Sequence, residues 1–158
     1  MSITIMAGYP KPKRFKPENP KKYVGKVNDI ISRSSWETKM FHWCDNNPSV
    51  VRWNSEDVII PYFSNADGKM RKYHIDVYAA IKMKDGSVKQ YIIEIKPYEQ
   101  TIKPKMRGRK KKETYLKECY TFQVNTDKWQ HATAWAKQND MEFIIMDEYS
   151  LGLKKRKP

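Results

Sequence analysis

The tightest constraint on what this chain can fold into is the stretch Tyr91-Ile92-Ile93-Glu94-Ile95-Lys96. Four of its six residues are aromatic or β-branched, which marks a buried strand. Alternation along a strand sends Glu94 and Lys96 to one face and Tyr91, Ile93 and Ile95 to the other. A carboxylate and an ammonium on an otherwise apolar strand are costly to desolvate unless partners answer them. Asp76, eighteen residues upstream in the run Tyr73-His74-Ile75-Asp76-Val77-Tyr78-Ala79-Ala80-Ile81, is the candidate partner.

Residues 71–82 and 88–96 read as two strands joined through Met83-Lys84-Asp85-Gly86-Ser87. A two-residue Asp85-Gly86 loop sets Asp76 opposite Ile95, on the face away from Glu94. A three-residue loop, Lys84-Asp85-Gly86 with Gly86 left-handed, sets Asp76 opposite Glu94, and a bulge does the same. We take the register that joins the acids.

Upstream, residues 9–28 carry four prolines among seven Lys and Arg, which predicts an extended arm and not a helix. Ser34 or Ser35 caps a helix running to about Asp45 and stopped by Asn46-Asn47-Pro48. Its apolar stripe is Trp36, Met40, Phe41, Trp43 and Cys44, and Glu37 falls inside that stripe. Val50–Trp53 and Val58–Tyr62 are short strands, the second confined by Pro61 to an edge or a strand end. Asn65-Ala66-Asp67-Gly68 is a turn. Residues 103–112 hold seven Lys or Arg and no acid, which predicts an exposed, mobile loop. Asn125 or Thr126 caps a second helix to about Asn139, with Trp129, Ala132, Thr133 and Ala136 on one face. Met141–Met146 is a last strand. The order predicts an α/β fold on a mixed β-sheet flanked by helices. It divides as a basic Pro-rich arm (1–28), one compact domain (29–150) and a basic tail (151–158).

The 31 Lys and Arg against 18 Asp and Glu give a net charge of +13, which implies a polyanionic partner. No stretch reaches the ~18 consecutive apolar residues of a membrane span, and Met1–Met6 does not read as a signal peptide. Cys44 and Cys119 make no disulfide framework, consistent with a cytosolic setting. His42, His74 and His131 lack zinc-ligand spacing. Tyr98 and Trp53 are candidates to stack on bases, with core packing as the ordinary reading.

Each acid has an ordinary reading as well: Glu37 a stripe-edge residue, Asp76 the acceptor of a tyrosine hydroxyl, Glu94 and Lys96 a surface ion pair. Three separate elements, however, each place a carboxylate where the pattern expects an apolar or neutral residue. Mg²⁺ favours oxygen ligands and retained waters. Asp76, Glu94 and the Ile95 carbonyl would supply such a set, polarising a phosphoryl oxygen and acidifying a water. Lys96 would orient or deprotonate that water. The chemistry indicated is phosphodiester hydrolysis.

Asp76 and Glu94-x-Lys96 after a helical Glu37 resemble the PD-(D/E)XK nuclease superfamily, with its restriction-endonuclease-like core. A longer set of motifs is similar to the head-completion nucleases of T-even-type tailed phages and to the transposon end-cleaving nuclease TnsA. It comprises Ser34-Ser35-Trp36-Glu37, Cys44-Asp45, Trp53-Asn54-Ser55-Glu56, Tyr73-x-Ile75-Asp76 and Glu94-Ile95-Lys96-Pro97-x-x-Gln100. Lys16-Pro17-x-Asn19-Pro20-x-Lys22-Tyr23 extends it upstream. Ile75 stands where a proline is usual.

The resemblance implies a Mg²⁺-dependent (or Mn²⁺-dependent) DNA endonuclease of head completion and DNA packaging, present in the host cytoplasm during assembly and then virion-associated. It implies Glu37, Asp76, Glu94 and Lys96 as catalytic residues, with Gln100 auxiliary and Glu37 joining Asp76, Glu94 and Ile95 at the metal. Double-stranded DNA and phage head or portal proteins are the expected partners, with no membrane and no small-molecule cofactor. Lys105, Arg107, Arg109, Lys110, Lys111 and Lys112 are the expected phosphate contacts. The alternatives are a non-catalytic DNA-binding head protein and a basic RNA-binding protein.

Overall fold

The computed structural model describes residues 11–156. Residues 1–10 of the arm, Met1–Met6 among them, and residues 157–158 of the tail lie outside them. In chain order the elements are β1 (Lys13–Arg14), β2 (Ile31–Ser32), α1 (Ser35–Asn46), β3 (Val50–Asn54), β4 (Ile59–Ser64) and β5 (Lys69–His74). There follow β6 (Val77–Lys82), β7 (Val88–Ile95), α2 (Lys112–Gln138) and β8 (Met141–Met146).

A central four-stranded sheet in the order β3-β6-β7-β8 carries the fold. Its first three strands are antiparallel, and β8 runs parallel to β7, reached through the α2 crossover. Strand alternation splits the interior in two. Val77, Ala79 and Ile93 meet Met40, Phe41 and Cys44 of α1. Tyr78, Ala80 and Ile92 meet Ala132 and Ala136 of α2 on the opposite face. The predicted mixed α/β class therefore holds. Among the described residues no helix is long and apolar enough to cross a membrane.

Four sequence expectations need correcting. The strand drawn over 71–82 is two strands, because the chain breaks at Ile75–Asp76 and changes partner. β5 pairs with β4 in a separate two-stranded ribbon, where Pro61 sits opposite Lys72 and needs no ladder donor. The second helix starts at Lys112, thirteen residues before the expected cap, and Asn125 is a buried mid-helix residue. Its first half lacks an apolar period yet is made of good helix formers such as Lys112, Glu113, Leu116 and Lys117. Trp43 is exposed, since α1 buries Met40, Phe41, Cys44 and Asp45 instead. Thr133 of α2 is exposed as well.

From Lys11 onward the arm is extended, apart from two single-turn 3₁₀ segments, and it is docked. Phe15 and Tyr23 place their rings 5.9 and 4.8 Å from the fully buried Trp53, edge-on in both cases. Trp53 is thus a core anchor and not a base-stacking platform. Val24 N–H bonds the Trp53 carbonyl at 2.9 Å, so the arm covers the outer edge of β3. Asp45, 1% exposed, fixes the arm by accepting from Glu18 N–H at 2.7 Å and Asn19 N–H at 3.0 Å.

Asp45→Ala strands those two donors. The expected loss is about 2–4 kcal/mol, read as a lower thermal midpoint with new protease cuts within residues 11–28.

Candidate active site

β6 and β7 pair with Val77 opposite Ile93 and Lys82 opposite Val88. Met83 N–H bonds the Ser87 carbonyl at 2.7 Å, which leaves Lys84-Asp85-Gly86 as the loop. Gly86 has φ +87, a left-handed conformation that costs glycine no Cβ clash. Carried one pair beyond the end of β6, this register sets Asp76 opposite Glu94. Both acids leave the α2 face of the sheet, the face of Tyr78, Ala80 and Ile92.

Asp76 stands where the backbone leaves the central sheet. Ile75 N–H bonds the Val58 carbonyl at 2.9 Å, and the Ile75 carbonyl accepts from Glu56 N–H at 3.1 Å. With the β5 backbone turned away, Asp76 Oδ2 takes the Ile95 N–H at 2.8 Å. Within one strand residue the N–H and C=O leave the same edge, so the Ile95 carbonyl is directed to the Asp76 side, where β6 has ended.

Glu94 is 5% exposed. Tyr73 donates its hydroxyl to Glu94 Oε2 at 2.5 Å, and Lys96 Nζ lies 3.3 Å from Oε1. Glu37 comes from the first turn of α1. Its N–H bonds the Ser34 cap at 3.1 Å, and its Oε2 accepts from Arg33 N–H at 3.0 Å.

The acids repel each other. Burial raises the Asp76 carboxyl well above its ordinary range, and the charge of Glu94 raises it further. The Ile95 N–H opposes this, and Glu37 adds to it. Glu37 is raised by burial, against its bond to Arg33 N–H, with smaller contributions from Glu56 and Glu94. Burial also lowers the half-buried Lys128 of α2, an ammonium that feels Glu94, Lys96 and Asp76. Its Nζ lies 5.4 Å from the centroid of the Tyr73 ring.

The structure thus brings together Asp76, Glu94, Ile95 and Lys96, with Glu37 in electrostatic reach. Among the described residues no three His, Cys, Asp or Glu side chains form a metal-holding group, and Glu37 Oε2 is taken by Arg33 N–H. Asp76, Glu94 and the Ile95 carbonyl remain as an all-oxygen donor set suited to Mg²⁺ or Mn²⁺. Two facing carboxylates that disfavour joint ionisation are stabilised by a cation between them. The residues fit such an ion.

Gln100 follows in the turn Tyr98–Gln100 and lines a neighbouring cleft of about 900 Å³ with Lys103, Lys105, Arg107 and Lys110. Arg107, Arg109 and Lys111 are exposed. Lys110 is held in the cleft wall, 2.8 Å from Glu118 and 2.9 Å from the Lys105 carbonyl. Lys112 belongs to α2 and not to the loop. His74 is exposed, its Nδ1 3.4 Å from the Glu56 carbonyl. Sequence reasoning did not place Tyr73 and Lys128 beside the acids. Tyr73 lay inside a quoted motif; Lys128 gave no signal, since a lysine on a helix is ordinarily solvated.

Residues 47–148 match the family described as TnsA-like endonuclease N terminal. The chain is 40% identical over 141 residues to the head completion nuclease of Enterobacteria phage T4, an alignment covering 87% of this chain and 91% of that protein. No solved structure matches it. The chain belongs to the TnsA-like endonuclease family.

Asp76→Asn removes one of two facing charges and keeps an oxygen for Ile95 N–H. Without added metal the variant is expected to be more stable than wild type by about 0.5–2 kcal/mol at neutral pH. A folded-state pKa above the unfolded one makes ionised Asp76 destabilising as pH rises between the two values. The gain should therefore vanish below the ordinary carboxylate range, which denaturant melts at neutral and acid pH measure.

Proposed function

We propose that this member of the TnsA-like endonuclease family is a Mg²⁺-dependent DNA endonuclease of phage head completion, hydrolysing phosphodiester bonds during or after packaging. The observation that carries the reading is the register that sets Asp76 opposite Glu94 with Ile95 and Lys96 beside them. Asp76, Glu94 and the Ile95 carbonyl would hold the cation, which supplies Lewis-acid polarisation of a phosphoryl oxygen and of a water.

The remaining chemistry falls to this chain's own side chains. Tyr73 fixes one Glu94 oxygen, so the carboxylate keeps its orientation as substrate enters. Each carboxylate oxygen retains a second lone pair for a ligand. Lys96, partly exposed, is placed to orient the attacking water or to offset charge growing on the phosphorus oxygens. Glu37 acts from α1 as an outer acid, through a water. Gln100 faces the substrate cleft as an auxiliary polar group.

The cations of residues 103–112 would hold the DNA backbone. Lys111 and Lys112 stand at the positive end of α2, where a cation is unfavourable by about 0.3–1 kcal/mol unless an anion is bound. The name of the T4 relative supports the placement in head completion, and the phage head or portal is the expected docking partner. Residues 29–150 form the catalytic unit in this reading, with 1–28 and 151–158 as basic extensions.

Supercoiled plasmid should be nicked with Mg²⁺ and spared with EDTA. Asp76→Ala and Glu94→Ala should fall to background. Lys96→Ala should lose about 10²–10⁴-fold, and Glu37→Gln should cost less than Asp76→Ala. Wild-type cleavage by Asp76→Ala protein would refute the assignment.

Neutralising Arg107, Arg109 and Lys111 together should flatten the slope of log K against log salt by about 2.7, or about 0.9 per phosphate contact. The loss should be equal across DNA sequences. An unchanged slope would assign the loop to another partner.

A further inference from the structure

We propose that Lys128 is a further substrate-binding residue, its ammonium holding a phosphate of the strand to be cleaved, and that the α2 face from Thr114 to Lys128 carries that strand's backbone. The assignment rests on the nuclease reading of Asp76 and Glu94. Thr114, Lys117, Thr121 and Asn125 of α2 line the cleft beside Gln100. Lys128 lies less than one turn beyond Asn125, at the acids. Eleven residues separate Lys117 from Lys128, so the two lie within about 20° on the helix and about 16 Å apart along its axis. The face therefore forms one track, running from the basic cleft to the carboxylates.

Lys128 is half-buried and, among the described residues, forms no ion pair. It rests over the Tyr73 ring, the same residue whose hydroxyl orients Glu94. The ring supports the ammonium by cation–π attraction. The ion pair of Glu94 is with Lys96, at 3.3 Å, and not with Lys128. A half-buried ammonium held next to a hydrolytic centre and left unpaired is completed by an anion. On the substrate of a nuclease that anion is a phosphate.

The test uses Lys128→Gln and Lys128→Arg in the full chain. Binding of a short DNA duplex in EDTA is followed across salt, together with single-turnover cleavage in Mg²⁺, calorimetric Mn²⁺ affinity and thermal midpoint. Lys128→Gln should flatten the salt slope by about 0.9 and slow cleavage by about 10²-fold, with Mn²⁺ affinity and midpoint unchanged. Lys128→Arg should restore most of both. Wild-type binding and cleavage by Lys128→Gln would overturn the proposal. Weakened Mn²⁺ affinity with unchanged DNA affinity would overturn it too, making Lys128 a charge partner of the acids. Asp76→Ala is the control: if it cleaves like wild type, the assignment of Asp76 and Glu94 as the nuclease site fails, and duplex binding in EDTA still decides Lys128.

Discussion

The hydrogen bond from Ile95 N–H to Asp76 Oδ2 holds the site and the sheet together at one point. There the chain abandons the central sheet to form the β4–β5 ribbon, and its backbone oxygen at Ile75 is taken by Glu56. Ile95 would be left with an unanswered N–H, at a cost of about 1–3 kcal/mol. The carboxylate fills that vacancy, and the same bond fixes the rotamer that faces Glu94. A topological event, the departure of one strand, thereby becomes a rigid pair of acids.

Two other buried acids, by contrast, have their oxygens answered by donors. Asp45 accepts two backbone donors from the arm. Asp127, 1% exposed on α2, accepts Asn65 N–H and Asn65 Nδ2, both at 2.8 Å, and ties the β4–β5 turn to the helix. These carboxylates are staples. Asp76 and Glu94 differ in facing each other and in having only one backbone donor between the two pairs of oxygens described. Burial alone does not separate a functional acid from a structural one; the direction of its donors does.

That distinction also sets what could be read in the sequence. Local rules sufficed for β8 and narrowed the α1 cap to Ser34 or Ser35, of which Ser34 caps, since each depends on neighbours in the chain. Turn length and strand parity left two registers, and the need to join the acids selected the one observed. The break at Asp76 was not legible: both Tyr73-His74 and Val77-Tyr78 favour strand, and only the competing pairing with β4 separates them. The first half of α2 was hidden because its length comes from propensity while its packing begins near Asn125. Asp45 and Lys128 take their surroundings from elements far away in sequence, which no local pattern encodes.

The long helix gives these pieces a common axis. α2 opens at Lys111 with no side-chain cap and only Glu113 as an acid in its first turn, so the end that meets the basic loop is electropositive. About sixteen residues on, or about 24 Å along the axis, the same helix passes the paired carboxylates beside Lys128. The potential thus changes sign along one rigid element. In the proposed reading a polyanionic strand is drawn first to the electropositive end and reaches the acids only where a cation and Lys96 offset their charge and Lys128 receives a phosphate. Without that offset, Asp76 and Glu94 would repel the phosphate they are placed to attack.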